Sequence, residues 1–337
     1  MHREREEKKR FFYGWLILLT CILIMGLGYA PLVSCASLFT KPVTEDLGFT
    51  RSGYALVSTI AALMMAFMSP FIGKIMSKPY MHKALVVCMI GNCLAYYCYS
   101  FASTLPQFYV TAACIGFFEC GSTMIPVSVL ITNWFRKKRG LVMSIAMVGS
   151  SIGGTILSPI IGNLIASQGW RFTYKAVGIT RLVILVPLVL LVIRRTPADM
   201  GTKAYGADEE GETGKARKTE REWNVSLKEV KKKPMFWCFV LGCTLISATA
   251  AVITQIPASV MDAGYATTTA ASIASLYLFI AIPGKLVLGH IYDRYGVKSG
   301  ILFGNTMFFL SVVCLIFIKH QPFLYLMAIL FGFGTCI

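Results

Sequence analysis

Two charged side chains stand out because long apolar stretches surround them. Lys285 lies within IPGKLVLGHIYD, and Glu119 lies within IGFFECG. An ionisable group inside a membrane-spanning helix is costly unless it faces a cavity or a partner. A lysine there can bind an anion, or it can extend its head group to the membrane surface, roughly 10 Å away at ~1.5 Å per residue. Glu119 can carry protons, pair with Lys285, or serve as a hydrogen-bonded structural acid.

Polar side chains elsewhere in the apolar segments extend this candidate site. Tyr277 and Lys285 are roughly 80° apart around a helix with ~3.6 residues per turn, so both can line one cavity. Gln255 lies in the preceding apolar segment, and Tyr29 lies in the first. We therefore take Lys285, Tyr277, Gln255 and Tyr29 as candidate substrate-binding residues, with packing as the alternative role for each tyrosine.

Enzymatic or metal chemistry finds little support in the sequence. The histidines fall in tails, loops or segment edges, and they form no catalytic constellation. The 11 cysteines show neither CxxC nor Cys/His ligand spacing. We expect no catalytic residues, no metal site and no cofactor.

The elements that must position these residues are membrane-spanning helices. Of the residues, 56% are hydrophobic and only 14% are charged, and the mean hydropathy is +0.66. A span needs about 20 mostly apolar residues. The sequence has ten such segments, at 12–39, 54–75, 84–101, 108–131, 141–166, 172–193, 235–258, 270–292, 300–318 and 323–337.

The basic residues indicate how these segments are oriented. Most of the 32 lysines and arginines fall in loops on the side of the N-terminus. Because basic residues concentrate in cytoplasmic loops, we predict a multi-pass protein of the plasma or inner membrane with a cytoplasmic N-terminus. The net charge of +16 then lies beside anionic lipid, and we expect the bilayer as a partner and no nucleic acid.

Composition divides the chain into four parts. Residues 1–11 form a cytoplasmic tail, and residues 12–193 form a half of six helices. A polar linker follows at 194–234, whose run AYGADEEGETGKARKTERE has too few apolar residues to fold alone. Residues 235–337 form a second half that contains helices seven to ten.

A weak internal repeat supports this division. An offset of 216 residues joins Gly73 to Gly289, and it also joins IGFFECG at 115–121 to FGFGTCI at 331–337. Two halves of six helices related by an axis along the membrane normal form a known transporter plan. We therefore expect the chain to be truncated within its tenth helix, with two further helices in a full-length protein.

One loop carries a family signature. GHIYDRYGVK, from Gly289 to Lys298, resembles the Gly-x-x-x-Asp-Arg-x-Gly-x-Lys/Arg loop of the major facilitator superfamily. Gly289 and Gly296 allow close helix approach and a tight turn, whereas Asp293 and Arg294 can form charge-assisted contacts at helix ends. The resemblance implies that these four residues form a cytoplasmic gate. The first-half counterpart, GKIMSKPYMHK, lacks the acid and the arginine.

A second stretch narrows the resemblance. NWFRKKRGLVMSIAMVGSSIG is similar to the loop and fifth helix of monocarboxylate transporters and oxalate/formate antiporters. Gly149 and Gly153 in it form a small-xxx-small surface for close helix packing. The families carry a substrate-binding basic residue at the position of Lys285. Proton-coupled members carry an aspartate where this chain has Ala281, and their first-helix lysine is also missing here, which favours the antiporters.

The resemblance implies an all-α membrane protein with the major facilitator fold. We expect a monomeric secondary transporter of small organic anions, mono- or dicarboxylates, which works by antiport through alternating access. A proton-coupled monocarboxylate symporter that uses Glu119 is the first alternative. A non-transporting sensor on the same scaffold is the second.

Overall fold

The computed structural model describes residues 12–206, 230–250, 260, 263–265 and 267–334, which fold mainly into helices. Short π- and 3-10-helical turns at Ile24–Tyr29, Tyr99–Phe101 and Pro197–Met200 interrupt or follow the α-helices. The α-helices are α1 Gly14–Leu23, α2 Ala30–Val33, α3 Ala36–Leu47, α4 Arg51–Met76, α5 Met81–Cys98, α6 Leu105–Ser122, α7 Met124–Trp134, α8 Arg139–Val192, α9 Pro234–Ala250, α10 Thr267–Ile316 and α11 Gln321–Gly334.

The predicted helical membrane architecture is confirmed. Within the described residues, six helical stretches are long and apolar enough to cross a membrane. Helix α8, with 54 residues, and helix α10, with 50, each contain two of the predicted segments. Each breaks at a glycine with positive φ, at +80° for Gly169 and +83° for Gly296. Residues that carry a Cβ rarely adopt a positive φ, which explains why glycine occupies both breaks.

Local sequence explains several helix ends. The Thr50 hydroxyl accepts a hydrogen bond from the Gly53 N–H at 3.1 Å and caps the start of α4. At the start of α6, the side chain of Gln107 accepts the backbone N–H of Thr104 at 3.3 Å. Helix α3 ends at Gly48, whose φ is +67°.

Residues 12–206 together with 285–296 form one compact unit, which contains residues 289–296 of the signature loop. Within it α4 packs on α6, and α8 packs on both α1 and α5. One end holds a core around Trp134, and the other holds a buried aromatic cluster. Large apolar side chains such as Phe67 and Leu191, 66% and 72% exposed, point outward as a lipid-facing surface requires. The aromatic cluster comprises Phe39, Tyr54, Tyr96, Tyr99, Phe108, Trp170 and Tyr174.

The small-residue surface predicted on α8 does allow close packing. A Cβ added at Gly149 would lie 2.3 Å from the backbone oxygen of Ile22. One added at Gly153 would lie 2.3 Å from the backbone oxygen of Gly26. Backbone atoms cannot rotate away, so both positions require glycine for this approach.

The described part of the second unit, which spans 207–284 and 297–337, repeats a contact of the first. In the first unit, a Cβ at Gly116 would lie 2.2 Å from the backbone oxygen of Ala61. In the second, a Cβ at Gly332 would lie 2.9 Å from the backbone oxygen of Tyr277. The 216-residue offset joins Gly116 to Gly332 and also Ala61 to Tyr277. Equivalent helices therefore touch at equivalent glycines, as a repeat predicts.

The first part of the linker packs on the first unit. The Trp134 indole N–H donates to the carbonyl of Arg194 at 2.9 Å, and Tyr205 forms a parallel bridge with Phe135. The acidic and basic run of the linker, residues 207–229, lies outside the described residues, as does Gln255. The division at 194–234 stays a prediction.

Candidate functional site

Lys285 lies on α10, and its ammonium contacts a polar strip of α8. Nζ donates to the carbonyl of Met147 at 3.0 Å and to the hydroxyls of Ser150 at 3.0 Å and Ser151 at 2.8 Å. An ammonium has three N–H donors, and these neutral oxygens are among its acceptors. A hydroxyl can also turn and donate to an incoming anion. The arrangement suits a carboxylate that bridges the ammonium and the two serines.

Asp293 binds the N-terminus of α8. Its Oδ1 accepts the N–H of Gly140 at 2.9 Å, and its Oδ2 accepts the N–H of Leu141 at 2.8 Å. The first N–H groups of a helix have no acceptor within it, and the helix dipole favours negative charge there. The carboxylate therefore ties the end of one helix to the start of another.

The other signature residues have distinct roles in this geometry. A Cβ at Gly289 would lie 2.3 Å from Oγ of Ser144, so glycine brings the loop close to α8. Gly296 supplies the positive φ that turns the chain. Arg294 is exposed and lies over the ring of Tyr295, with Cζ 5.6 Å from its centroid. Its described contact is therefore a cation–π contact near the surface.

Glu119 is buried, and both its oxygens accept hydrogen bonds. Oε2 accepts from the Asn92 amide at 2.7 Å, and Oε1 accepts from the Thr123 hydroxyl at 2.9 Å. Only 5% of Glu119 is exposed. These contacts match the hydrogen-bonded structural acid, which was one of the roles that the sequence allowed for Glu119. They do not decide whether Glu119 also carries protons.

Sequence reasoning missed Arg181 and Asn92. Arg181 is 1% exposed in the second half of α8, and its Nη2 donates to the carbonyl of Gly28 at 2.8 Å and to Oδ1 of Asn92. Asn92 thus links Arg181 to Glu119. The signal was present, because Arg181 is a lone cation inside an apolar segment, and the rule that singled out Lys285 applies equally to it.

The two candidate tyrosines are positioned differently. Tyr29 ends the π-helical turn Ile24–Tyr29 and is half-buried beside the core around Trp134. Tyr277 lies in the second unit, where its ring packs edge-on against Phe331 with centroids 5.4 Å apart. Within the described residues, no group of three or more His, Cys, Asp or Glu could hold a metal ion.

Comparison with known proteins decides the family. The model of the Major Facilitator Superfamily matches residues 16–337. The chain belongs to the major facilitator superfamily. The predicted fold is thereby confirmed, and this major facilitator protein is a multi-pass membrane protein.

Known relatives of this major facilitator chain include transporters of two kinds. Human monocarboxylate transporter 2 is 23% identical over 229 residues, which cover 67% of this chain and 45% of that protein. The MFS-type transporter pytF of Aspergillus terreus is 26% identical over 209 residues, 62% of each chain. The chain thus spans less than two thirds of these curated relatives.

A solved structure shares the fold. It is the crystal structure of a bacterial homologue of the human lysosomal transporter Spinster, in an inward-facing and unoccupied conformation. The TM-score is 0.63 at 16% identity, and the match covers 96% of this chain and 74% of that one.

Proposed function

We propose that this transporter carries small organic anions, mono- or dicarboxylates, by antiport through alternating access, as a monomer in the plasma or inner membrane with its N-terminus in the cytoplasm. The observation that carries the proposal is the ammonium of Lys285 beside the hydroxyls of Ser150 and Ser151. The names of the relatives that are monocarboxylate transporters support the same substrate class.

Charge accounts for the exchange mode. A carboxylate bound to the Lys285 ammonium forms a neutral pair with it. A buried charge is unfavourable in a membrane, so the loaded carrier reorients more readily than the empty one. The carrier therefore moves outward with one anion bound and returns with another, which exchanges the two anions across the membrane.

The signature loop supplies the gate in this proposal. Asp293 holds the start of α8 through two backbone N–H groups, and Gly289 permits the close approach. These contacts involve helix ends, so they control reorientation and not substrate affinity. Arg294 and Gly296 complete the loop.

Substitution of Lys285 tests the proposal in proteoliposomes that contain the full-length carrier. Lys285→Gln should abolish counterflow exchange of labelled oxalate, formate and lactate while membrane insertion stays normal. Lys285→Arg should retain part of the activity, since the guanidinium keeps the charge in a different geometry. Lys319→Gln, the same change at an exposed lysine outside the signature loop, is the matched control. Exchange by Lys285→Gln at the parental rate would remove the anion site.

Proton-coupled symport is the second candidate, and the burial of Glu119 favours it. A buried acid in a transporter can take up a proton as its substrate binds. Counterflow that persists without a proton gradient indicates exchange. Net uptake that follows an imposed pH gradient indicates symport through Glu119.

A further inference from the structure

Arg181 has more hydrogen-bond donors than there are acceptors for them among the described residues. A guanidinium carries five N–H groups. Those of Nη2 bind Gly28 and Asn92, whereas Nε and Nη1 are buried and have no partner among the residues that the structure describes. Buried polar groups are nearly always hydrogen-bonded, so an exception of this kind calls for an acceptor.

A second residue with an unpartnered donor has its ring beside the guanidinium. The ring of Tyr96 is 4.9 Å from Cζ of Arg181, and its buried hydroxyl also lacks a partner among the described residues. Arginine N–H groups and a tyrosine hydroxyl together are donors that match carboxylate oxygens. The pair therefore favours a small anion over a neutral ligand.

The first helix is irregular where it meets Arg181. Ile24–Tyr29 is π-helical, and Pro31 follows without the N–H that would bond to the carbonyl of Leu27. The carbonyl that Arg181 uses belongs to Gly28 in this turn. Single π-helical turns occur frequently at functional sites.

Asn92 separates the arginine from its countercharge. Its carbonyl oxygen accepts from Arg181, and its amide N–H donates to Glu119 at 2.7 Å. With Glu119 ionised, the two charges balance across the amide. When Glu119 binds a proton, Arg181 loses that countercharge, and a lone buried cation is strongly disfavoured. An anion at the guanidinium restores neutrality.

We propose that Arg181 and the Tyr96 hydroxyl form a second anion-binding position of the carrier, which a small carboxylate occupies as Glu119 takes up a proton. One proton moves from solution to a Glu119 oxygen for each carboxylate bound at Arg181, and no covalent bond changes otherwise. The inference rests on the second candidate of the proposed function, symport through Glu119, and assigns this proton coupling to the first unit. Arg181 is closed off in this structure, so the anion enters in another state of the transport cycle.

Among the described residues, Arg181 is the charged group that interacts with Glu119. Titratable neutral groups that interact with Glu119 are the phenol of Tyr29 on the first helix and the thiols of Cys93 on α5 and Cys120 on α6. Thiols and phenols remain uncharged near neutral pH. The proton that accompanies the anion is therefore assigned to Glu119.

Proton uptake on ligand binding tests the inference. The purified full-length carrier in weakly buffered solution receives labelled sodium lactate, and an indicator dye reports the pH change. Lys285→Gln, in which Arg181 is the proposed anion position that remains, should take up about one proton per lactate bound, by linkage between the two events. Glu119→Gln should bind lactate without proton uptake, and its affinity should not vary with pH around neutrality.

Substitutions of the arginine complete the test. In the Lys285→Gln background, Arg181→Gln should weaken lactate binding about tenfold or more, and Arg181→Lys should restore part of it. Should Arg181→Gln fail to fold, the neutral double variant Glu119→Gln/Arg181→Gln should fold and bind lactate weakly without taking up protons.

The outcomes separate the two proposals. Lactate binding by the wild type without proton uptake, or unchanged uptake in Glu119→Gln, overturns the inference and leaves Arg181, Asn92 and Glu119 a structural role; the anion site at Lys285 then stands. A carrier that neither binds nor exchanges carboxylates overturns both. Loss of exchange in Lys285→Gln with proton uptake intact supports the inference.

Discussion

Replacement of Asp293 by asparagine perturbs the proposed gate with little change of side-chain shape. Each oxygen of Asp293 accepts one backbone N–H from the first turn of α8, from Gly140 at 2.9 Å and Leu141 at 2.8 Å. Asparagine keeps one acceptor and places an NH₂ group against the other N–H. The variant therefore loses one hydrogen bond and the charge at the helix N-terminus.

The size of the effect follows from these two losses. A hydrogen bond to a charged group contributes about 1.5–3 kcal/mol. A charge at a helix N-terminus adds ~0.3–1 kcal/mol. Since Asp293 is exposed, we take the lower part of the combined range, about 2 kcal/mol, which corresponds to roughly a 30-fold change in the population of the state that contains the contact.

Counterflow exchange in proteoliposomes measures the consequence. Asp293→Asn should lower turnover by up to about 30-fold while the half-saturating substrate concentration changes little, because the contact belongs to helix ends. Gly140→Ala should act in the same direction, since its Cβ would lie 2.7 Å from Oδ1 of Asp293. Glu45→Gln, at another exposed acid, is the control. Parental turnover in Asp293→Asn would refute the gating role.

Three further predictions concern topology and packing. A membrane-impermeant maleimide added outside intact cells should label a cysteine placed at Asp46 but not one at Lys138, and the reverse would overturn the orientation. Gly149→Ala should lower the free energy of unfolding by about 1–3 kcal/mol, and with it the thermal unfolding temperature, because its Cβ would meet the Ile22 backbone. Gly162→Ala, whose Cβ would enter open space, should unfold at the parental temperature or above it. Lys138→Gly should raise that temperature slightly, since φ at this position is +56° and the left-handed conformation costs a side chain about 1–2 kcal/mol; an unchanged or lower value would contradict this.

The helices and the close approaches could be predicted from the sequence. Hydropathy alone places the spans, because a helix in lipid must satisfy its own backbone. Small residues at Gly149 and Gly153 predict packing because close approach depends on side-chain size, a local property. The signature loop likewise predicts the close approach at Gly289, the turn at Gly296 and the contact of Asp293 with a helix end.

The partners of the charged residues could not be predicted. Lys285 meets Ser150 and Ser151, which lie 134 or more positions away in sequence. Asn92 lies between Glu119 and Arg181, and which side chain bridges two charges depends on how three helices rotate against each other. A single sequence gives the spacing along each helix but not these rotations.

Substrate class is the central claim, and a counterflow panel measures it most directly. Proteoliposomes with the full-length carrier are loaded with one unlabelled solute and exposed to its labelled form, for lactate, formate, oxalate, a neutral sugar and an organic cation. The account predicts rapid exchange of one or more carboxylates, none of the sugar or the cation, and loss of the exchange in Lys285→Gln. Exchange of the sugar or the cation without any carboxylate would contradict it.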